Sequence, residues 1–164
     1  MLGMKLEALK KYLVEFKGVP ESELKDITVN NCYNAYWKQF ELGNYGSYIV
    51  LTDEEADDTA RENILNDLWV FCSDFILEHM SGYDRMTNHE VDEFKNALSE
   101  MQKNLCESCN AIVRALISDI DNFIDDAIEA DGRGHFIASY DLVENEQDGF
   151  YIYRMDWYGG FEKC

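Results

Sequence analysis

Basic residues are scarce in this chain: 14 lysines and arginines stand against 33 aspartates and glutamates, a formal net charge of −19 over 164 residues. The deficit is regional, because residues 1–40 carry six lysines and five acids, whereas residues 41–164 carry eight bases and 28 acids. A strongly negative surface repels phosphate backbones and anionic membrane surfaces. We therefore expect no direct binding to nucleic acid or membranes, and we expect cationic partners instead.

Long apolar runs, a positively charged leader and a regular cysteine pattern are also missing. No stretch approaches the roughly 20 apolar residues that cross a bilayer, and the five cysteines are odd in number and irregularly spaced. These absences predict a soluble cytoplasmic protein whose thiols stay reduced. The single proline leaves no Pro-rich linker, so we expect one domain over residues 1–164, in which residues 41–164 form the acidic region.

Apolar residues recur at helical spacing along much of the chain. They predict five helices, at about residues 6–16, 52–80, 88–103, 105–117 and 119–130. Thr52 followed by Glu55 is typical of a capping box, in which each side chain satisfies the backbone amide of the other residue. The start of the second helix is therefore predicted at residue 52.

Two segments rich in β-forming residues predict a small antiparallel sheet. The first is residues 47–51, which together with the preceding turn at Gly43–Gly46 indicate a hairpin or a short strand pair, and the second is residues 135–154. Within the second segment, His135–Tyr140 is the expected hairpin partner of Phe150–Arg154. The predicted fold is α+β and mostly α, with a bundle of about five helices packed against this sheet.

The fifth predicted helix has an anionic side. At 100° per residue its apolar residues fall on one arc and its carboxylates on the opposite arc. These carboxylates are Asp119, Asp121, Asp125, Asp126 and Glu129. A second acidic set surrounds the start of the second predicted helix and comprises Asp53, Glu54, Glu55, Asp57, Asp58 and Glu62. Both sets are candidate partner-binding residues, and helix capping explains part of the second set.

The segment Asp131-Gly-Arg-Gly-His135 has two interpretations. In the favoured one it is a joint, where Gly132 ends the acidic helix, Gly134 eases entry into a strand and Arg133 pairs with local acids. In the other, polar residues of this region converge in a pocket and carry out proton transfer or ligand binding. The residues that would then act are Asp131, Arg133, His135 and Asp141.

No metal or cofactor site is predicted. Four acids follow closely in the sequence, but they lack the spacing and the turn glycine of an EF-hand, so a solvated hairpin loop is expected. They are Asp141, Glu144, Glu146 and Asp148. Cys106 and Cys109 form half of a zinc-binding pattern without two further suitably placed ligands, which favours thiols in or near the core.

Aromatic residues flank both predicted sheet segments. They are Trp37, Tyr45, Tyr48, Trp157, Tyr158 and Phe161. Stacking of nucleic-acid bases would require basic neighbours, and the neighbours here are acidic. These residues are expected to pack in the core, to cover sheet edges or to form a protein interface, for which tyrosine and tryptophan are favoured.

Two stretches resemble a family of small acidic proteins encoded by bacteriophages and related mobile elements. The first is YIVLTDEEAD at residues 48–57, continued by NDLWVF at residues 66–71. The second is DGRGHFIASYD at residues 131–141, followed by Glu144, Glu146 and FYIYR at residues 150–154. Members of the family often have glycine after the Tyr-Asp pair, where this chain has Leu142. The resemblance implies a phage setting and no assigned activity, so it transfers no catalytic residue.

These observations predict a phage-encoded anti-defence binding protein, and not an enzyme. Carboxylates on successive helical turns can imitate nucleic acid, which carries one charge per ~1.7 Å of duplex axis. The expected partner is a basic host protein, such as a CRISPR or restriction nuclease, whose nucleic-acid channel the protein would block in the cytoplasm of the infected bacterium. Two alternatives stay open: an enzyme or ligand-binding protein that uses residues 131–141, and a homodimeric structural or regulatory phage protein joined through the C-terminal aromatics.

Overall fold

The computed structural model describes residues 1–31 and 37–155. Its helices are α1 (Leu2–Lys17), α2 (Asp53–Asn66), α3 (Ser73–Glu78), α4 (Asn88–Leu105), α5 (Asn110–Leu116), α6 (Ile120–Asp131) and α7 (Arg133–Ile137). Its strands are β1 (Thr28–Asn31), β2 (Lys38–Leu42), β3 (Gly46–Leu51), β4 (Glu144–Gln147) and β5 (Phe150–Met155). The α+β, mainly helical class predicted from the sequence is confirmed.

The chain divides into two compact units. Residues 1–60 together with 131–164 form the first, and residues 61–130 form the second. All five strands belong to the first unit, whereas α3, α4 and α5 belong to the second. The expectation of a single cooperative domain stays a prediction.

The sheet of the first unit is antiparallel throughout, in the order β1-β2-β3-β5-β4. The predicted turn at Gly43–Gly46 is confirmed, because a 3₁₀ turn at Gly43–Tyr45 connects β2 to β3. α1 packs on the sheet through Ala8, Leu9, Tyr12 and Leu13, all buried in the same apolar cluster as Phe40, Tyr48 and Ile152. It ends where predicted, at Gly18, whose φ of 65° is the left-handed conformation that glycine favours.

The predicted strand at His135–Tyr140 is wrong. Residues 133–137 form the helix α7, and β5 pairs with β3 and β4 instead. The helix packs closely against residues 142–144, because a Cβ atom on Gly134 would lie 2.6 Å from the amide nitrogen of Glu144 and from the carbonyl oxygen of Leu142. Glycine at this position lets α7 pack directly on the chain entering β4. The strand β1 was not predicted, and β2 was implied only as the partner of residues 47–51 across the turn at Gly43–Gly46, because residues 28–42 have no clear alternation.

The predicted continuous helix over residues 52–80 is also wrong, although its start is confirmed. Thr52 Oγ1 accepts from the Glu55 amide at 3.3 Å, and the Glu55 carboxylate accepts from the Thr52 amide at 2.7 Å. The helix then ends at Asn66, a 3₁₀ turn follows at Leu68–Val70, and α3 begins at Ser73. The apolar periodicity of the sequence continues across residues 67–72. The pattern therefore gave no sign that the helix breaks there.

Side-chain amides from elsewhere in the second unit stabilise this break. Gln102 Nε2 donates to the carbonyl oxygens of Trp69 and Phe71 at 2.8 and 2.7 Å. Asn110 accepts from the Trp69 amide at 2.8 Å and donates to the carbonyl oxygen of Asn66. These bonds replace the helical ones that the broken segment gives up, because backbone polar groups away from water need partners.

We expect Gln102→Leu to destabilise the second unit by about 2 kcal/mol, because it leaves two carbonyl oxygens without their donor at a residue that is 9 % exposed. Urea unfolding followed by circular dichroism measures the change. Asn104→Ala is the matched control on α4, since Asn104 is exposed and its side chain bonds to that of Glu100 on the same helix. Equal stability of the two variants would contradict a stabilising role for Gln102.

The other helices of the second unit differ from prediction mainly at their starts. A second capping box joins Thr87 and Glu90 at the beginning of α4. The fourth predicted helix begins at Asn110 and not at residue 105, because a 3₁₀ turn occupies Cys106–Cys109 and Cys106 has a φ of 47°. Leu105 is correspondingly exposed, although the sequence predicted it to face inward. The fifth helix is observed as α6.

Candidate functional site

The acidic side of α6 is the surface that the sequence singled out. Phe123, Ile124 and Ala127 are buried, whereas Asp125 and Glu129 are exposed. The five carboxylates between residues 119 and 129 extend over about 15 Å of helical rise. That corresponds to roughly one charge per 3–4 Å, close to the ~3.4 Å per charge along a single DNA strand.

Three of these five carboxylates are bound within the second unit. Asp119 caps α6, because its Oδ1 accepts from the amides of Asp121 and Asn122 at 3.1 Å each. Asp121 pairs with Arg61. Asp126 Oδ2 lies 2.9 Å from His79 Nε2 and accepts from the Asn122 side chain at 3.0 Å. The Arg61 contact offsets the charge of Asp121, and the other contacts occupy carboxylate oxygens of Asp119 and Asp126.

His79 was not predicted from the sequence, yet it holds one member of the acidic set. Its side chain is 8 % exposed, and its Nδ1 lies 2.8 Å from the carbonyl oxygen of Phe75. The ring centroids of Phe75 and Phe123 lie 4.7 and 5.0 Å from that of the imidazole. The Phe75–His79 spacing of four residues was the available signal, but the contact with Asp126 depends on the packing of α3 against α6.

Several members of the acidic set at the start of α2 make contacts within the first unit. Glu55 caps the helix and pairs with Lys5. Its pKa is lowered: burial alone would raise it, but the hydrogen bonds from Lys5 and Thr52 outweigh that effect. Asp53 and Asp57 both bind Arg133. Asp53 and Asp57 are nevertheless largely exposed, as are Glu54, Asp58 and Glu62, the last of which belongs to the second unit.

Arg133 is the centre of an ion-pair cluster in the first unit. Its Nε and Nη2 donate to the two carboxylate oxygens of Glu144 at 2.9 and 3.0 Å, and its Nη1 donates to Asp53 and Asp57 at 2.8 Å each. The guanidinium carbon lies 4.3 Å from the centroid of the Tyr151 ring. Only 12 % of the side chain is exposed. All three guanidinium nitrogens therefore donate to carboxylates of the protein. The prediction that Arg133 pairs with local acids is confirmed for Glu144, whereas Asp53 and Asp57 are distant in the sequence.

The electrostatics of this cluster follow from its contacts. Burial alone would lower the pKa of Arg133, but the hydrogen bonds to Glu144, Asp53 and Asp57 raise it above its ordinary value. The Arg133 hydrogen bond lowers the pKa of Asp53. Burial, together with its hydrogen bond to Glu144, raises the pKa of Tyr153. Each group is held in its ordinary ionisation state at neutral pH, which is typical of a structural cluster.

The other residues of the alternative catalytic set, Asp131, His135 and Asp141, do not join the ion-pair cluster of Arg133. Asp131 and His135 are exposed. Asp141 Oδ1 accepts from the Val143 amide at 3.2 Å and so stabilises the turn before β4. Within the described part of the chain, the hydrogen bonds of the Arg133 side chain go to α2 and β4, and none goes to Asp131, His135 or Asp141.

The acidic hairpin and the cysteine pair were considered as metal sites from the sequence. Asp148 and Gly149 form the turn between β4 and β5 with φ values of 54° and 76°, as a tight hairpin requires, and Asp148 pairs with Lys11. Cys109 is buried as predicted, but Cys106 is exposed, contrary to the prediction. Within residues 1–31 and 37–155, no group of three or more potential metal ligands is found.

Two further sequence predictions concern aromatics and membranes. Tyr48 is buried and Tyr45 packs against the apolar cluster, which agrees with a core position for both. Trp37, Trp157, Tyr158 and Phe161 were predicted with them, and the last three lie outside the described residues. No helix in the described ranges is long and apolar enough to cross a membrane.

Comparison with known proteins adds no assignment. The phage-family resemblance, carried by residues 48–71 and 131–154, stays a prediction. No protein-family model matches the chain, and no curated protein or solved structure shows significant similarity to it.

Proposed function

We propose that this protein binds a cationic surface of another protein through the carboxylates of α6, in the manner of a nucleic-acid mimic. The observation that carries the proposal is the exposure of Asp125 and Glu129 on a helix whose opposite side is buried. The net charge of −19 supports it, because a field of that sign attracts basic surfaces from a distance and accelerates association.

The biological setting is part of the same proposal. The resemblance to phage proteins suggests an anti-defence role in the cytoplasm of an infected bacterium, with the nucleic-acid channel of a defence nuclease as the target. The exposed carboxylates Glu54, Asp58 and Glu62 are further candidates for contact. Asp53, Glu55 and Asp57 are weaker candidates, because Arg133 and Lys5 already bind their carboxylates.

The test is capture from a nuclease-treated bacterial lysate on the immobilised protein, with elution by duplex DNA. We expect a captured protein that itself binds nucleic acid and that dissociates at high salt, since salt screens exposed charges. Restoration of phage growth in bacteria with an active CRISPR or restriction system would then identify the defence target. A captured protein without nucleic-acid affinity, or no DNA-eluted protein at all, would contradict the proposal.

Paired variants test which carboxylates make the contact. We expect Asp125→Asn with Glu129→Gln to weaken binding of the purified partner about tenfold, mainly through slower association. The control, Glu15→Gln with Glu21→Gln, removes the same charge from exposed positions of the first unit and is expected to change affinity less than about twofold. Equal loss in both double variants would indicate an effect of net charge alone.

A further inference from the structure

The imidazole of His79 lies where the end of α3 meets α6, within the second unit. Its side chain is 8 % exposed, and the ring centroids of Phe75 and Phe123 lie 4.7 and 5.0 Å from its own. The His79 carbonyl oxygen accepts from the amide and the hydroxyl of Ser118 at 2.9 and 2.7 Å, so the main chain is held as well. Water therefore has little access to the ring, and its nitrogens depend on partners within the protein.

Both nitrogens of this imidazole face acceptors. Nδ1 lies 2.8 Å from the carbonyl oxygen of Phe75, which belongs to the last turn of α3 and can only accept. Nε2 lies 2.9 Å from Oδ2 of Asp126, and that oxygen also accepts from the side-chain amide of Asn122 at 3.0 Å. An ionised carboxylate only accepts hydrogen bonds. Two bonds to acceptors need two N–H groups, and the ring has two only when it is doubly protonated.

The neutral ring has one N–H group and cannot keep both bonds. Its other nitrogen would direct a lone pair at a nearby oxygen, which is repulsive. The Phe75 carbonyl group is part of the main chain of α3 and is fixed by the helix. The Asp126 side chain, by contrast, is 46 % exposed and can rotate towards water. Loss of one proton is therefore expected to break the contact with Asp126 and to leave the remaining proton on Nδ1 of His79.

The charged groups around the imidazole leave its contact with α6 as the one that responds to pH. Within the described part of the chain, Asp126 is the titratable side chain that bonds to the ring. On α3 itself, Asp74 pairs with Lys95 of α4, and Glu78 is exposed. At the start of α6, Asp119 accepts from backbone amides of its own helix. Histidine is the side chain whose charge ordinarily changes between about pH 5 and pH 8.

We propose that His79 is a pH-sensitive latch between α3 and α6, in which the doubly protonated imidazole binds Asp126 and the neutral imidazole releases it. The bound form joins the two helices through a charge-assisted hydrogen bond. Release frees a carboxylate on the same helix as Asp125 and Glu129. One consequence rests on the proposed function: binding of α6 to a cationic surface should strengthen as the pH rises. The latch itself needs no partner, so its failure would leave the proposed function unaffected.

The experiment is an NMR titration of the isotope-labelled chain between about pH 5 and pH 8, which follows the histidine ring nitrogens and the aspartate carboxyl carbons. In the neutral form, we expect His79 to carry its proton on Nδ1. His89 and His135, both exposed, are internal controls and should show the Nε2-protonated tautomer that a free imidazole side chain favours. The Asp126 carboxyl carbon and the Asn122 side-chain amide should shift together with the His79 ring. A neutral His79 with its proton on Nε2, or an Asp126 signal that does not follow the ring, would overturn the proposal.

Two variants of α6 separate the latch from a general effect of pH. Asp126→Asn keeps the shape of a partly exposed side chain and removes its charge, so most of the pH-dependent shift of the Asn122 side-chain amide should be lost. Asp125→Asn removes the same charge from an exposed position one residue away and is the matched control. It should leave the Asn122 shift unchanged. Equal pH-dependent shifts in the two variants would contradict the latch.

Discussion

Gly134→Ala is expected to destabilise the protein by about 3 kcal/mol or more and to lower its melting temperature by roughly 10 °C. The added methyl group would meet three backbone atoms: the Leu142 oxygen and Glu144 nitrogen at 2.6 Å and the Val143 carbonyl carbon at 2.9 Å. Backbone atoms in a packed connection cannot rotate away as a flexible side chain can. Thermal unfolding followed by circular dichroism measures the loss.

Two other glycines separate this effect from the usual consequences of a Gly→Ala change. Gly3 lies in α1 with nothing within 4 Å of the position that a methyl group would occupy, so Gly3→Ala should stabilise slightly, by about 0.5 kcal/mol. Gly132 has open space around it but a φ of 77° with a ψ of 155°, a region that is almost exclusive to glycine, so Gly132→Ala should cost about 1–3 kcal/mol through backbone strain alone. If Gly134→Ala were no worse than Gly132→Ala, the close approach of α7 to residues 142–144 would not be the cause.

Arg133→Met is expected to destabilise the first unit by about 2–3 kcal/mol. It removes the N–H donors of the cluster and leaves Glu144, 28 % exposed, beside Tyr153 without its cationic partner. The expected loss is smaller than for a fully buried ion pair, because Asp53 and Asp57 remain largely exposed to water. Chemical unfolding measures the change, and Arg85→Met at an exposed arginine is the control.

The destabilisation caused by Arg133→Met should be smaller at acidic pH than at neutral pH. The Arg133 hydrogen bond lowers the pKa of Asp53 in the folded state below the ordinary value of 3.8. A carboxyl with a lowered folded-state pKa stabilises the protein above its unfolded-state pKa, and that contribution is lost as the pH falls through the folded-state value. The difference in unfolding free energy between the wild type and Arg133→Met should therefore be smaller at about pH 3 than at about pH 7. An equal difference at both pH values would mean that packing against Tyr151, and not charge, accounts for the effect.

Local signals in the sequence predicted several elements correctly. The capping box at Thr52 and Glu55 involves residues three positions apart, so its chemistry does not depend on the rest of the fold. The buried side of α6 followed from helical periodicity. The end of α1 followed from Gly18. In each case the decisive interaction lies within one or two helical turns.

The backbone conformation of Leu142 depends on contacts that the local sequence does not reveal. Leu142 adopts a φ of 59°, a conformation that glycine favours. The turn is therefore left-handed although a branched residue occupies it. The approach of the Leu142 carbonyl to Gly134 and the bond between Asp141 and Val143 fix this geometry, and neither is apparent from residue 142 alone.

Composition, charge and short-range spacing determined that this protein folds with an α+β, mostly helical architecture, that its acids concentrate after residue 40, and that α6 has an anionic side. The tertiary structure decided which acids are paired with other groups of the protein. Arg133 lies 80 and 76 positions from Asp53 and Asp57, and Gln102 lies 33 positions from Trp69 in the helix break that it stabilises. Such contacts depend on how distant elements pack, and the periodicity of a single segment carries no information about a partner that far along the chain.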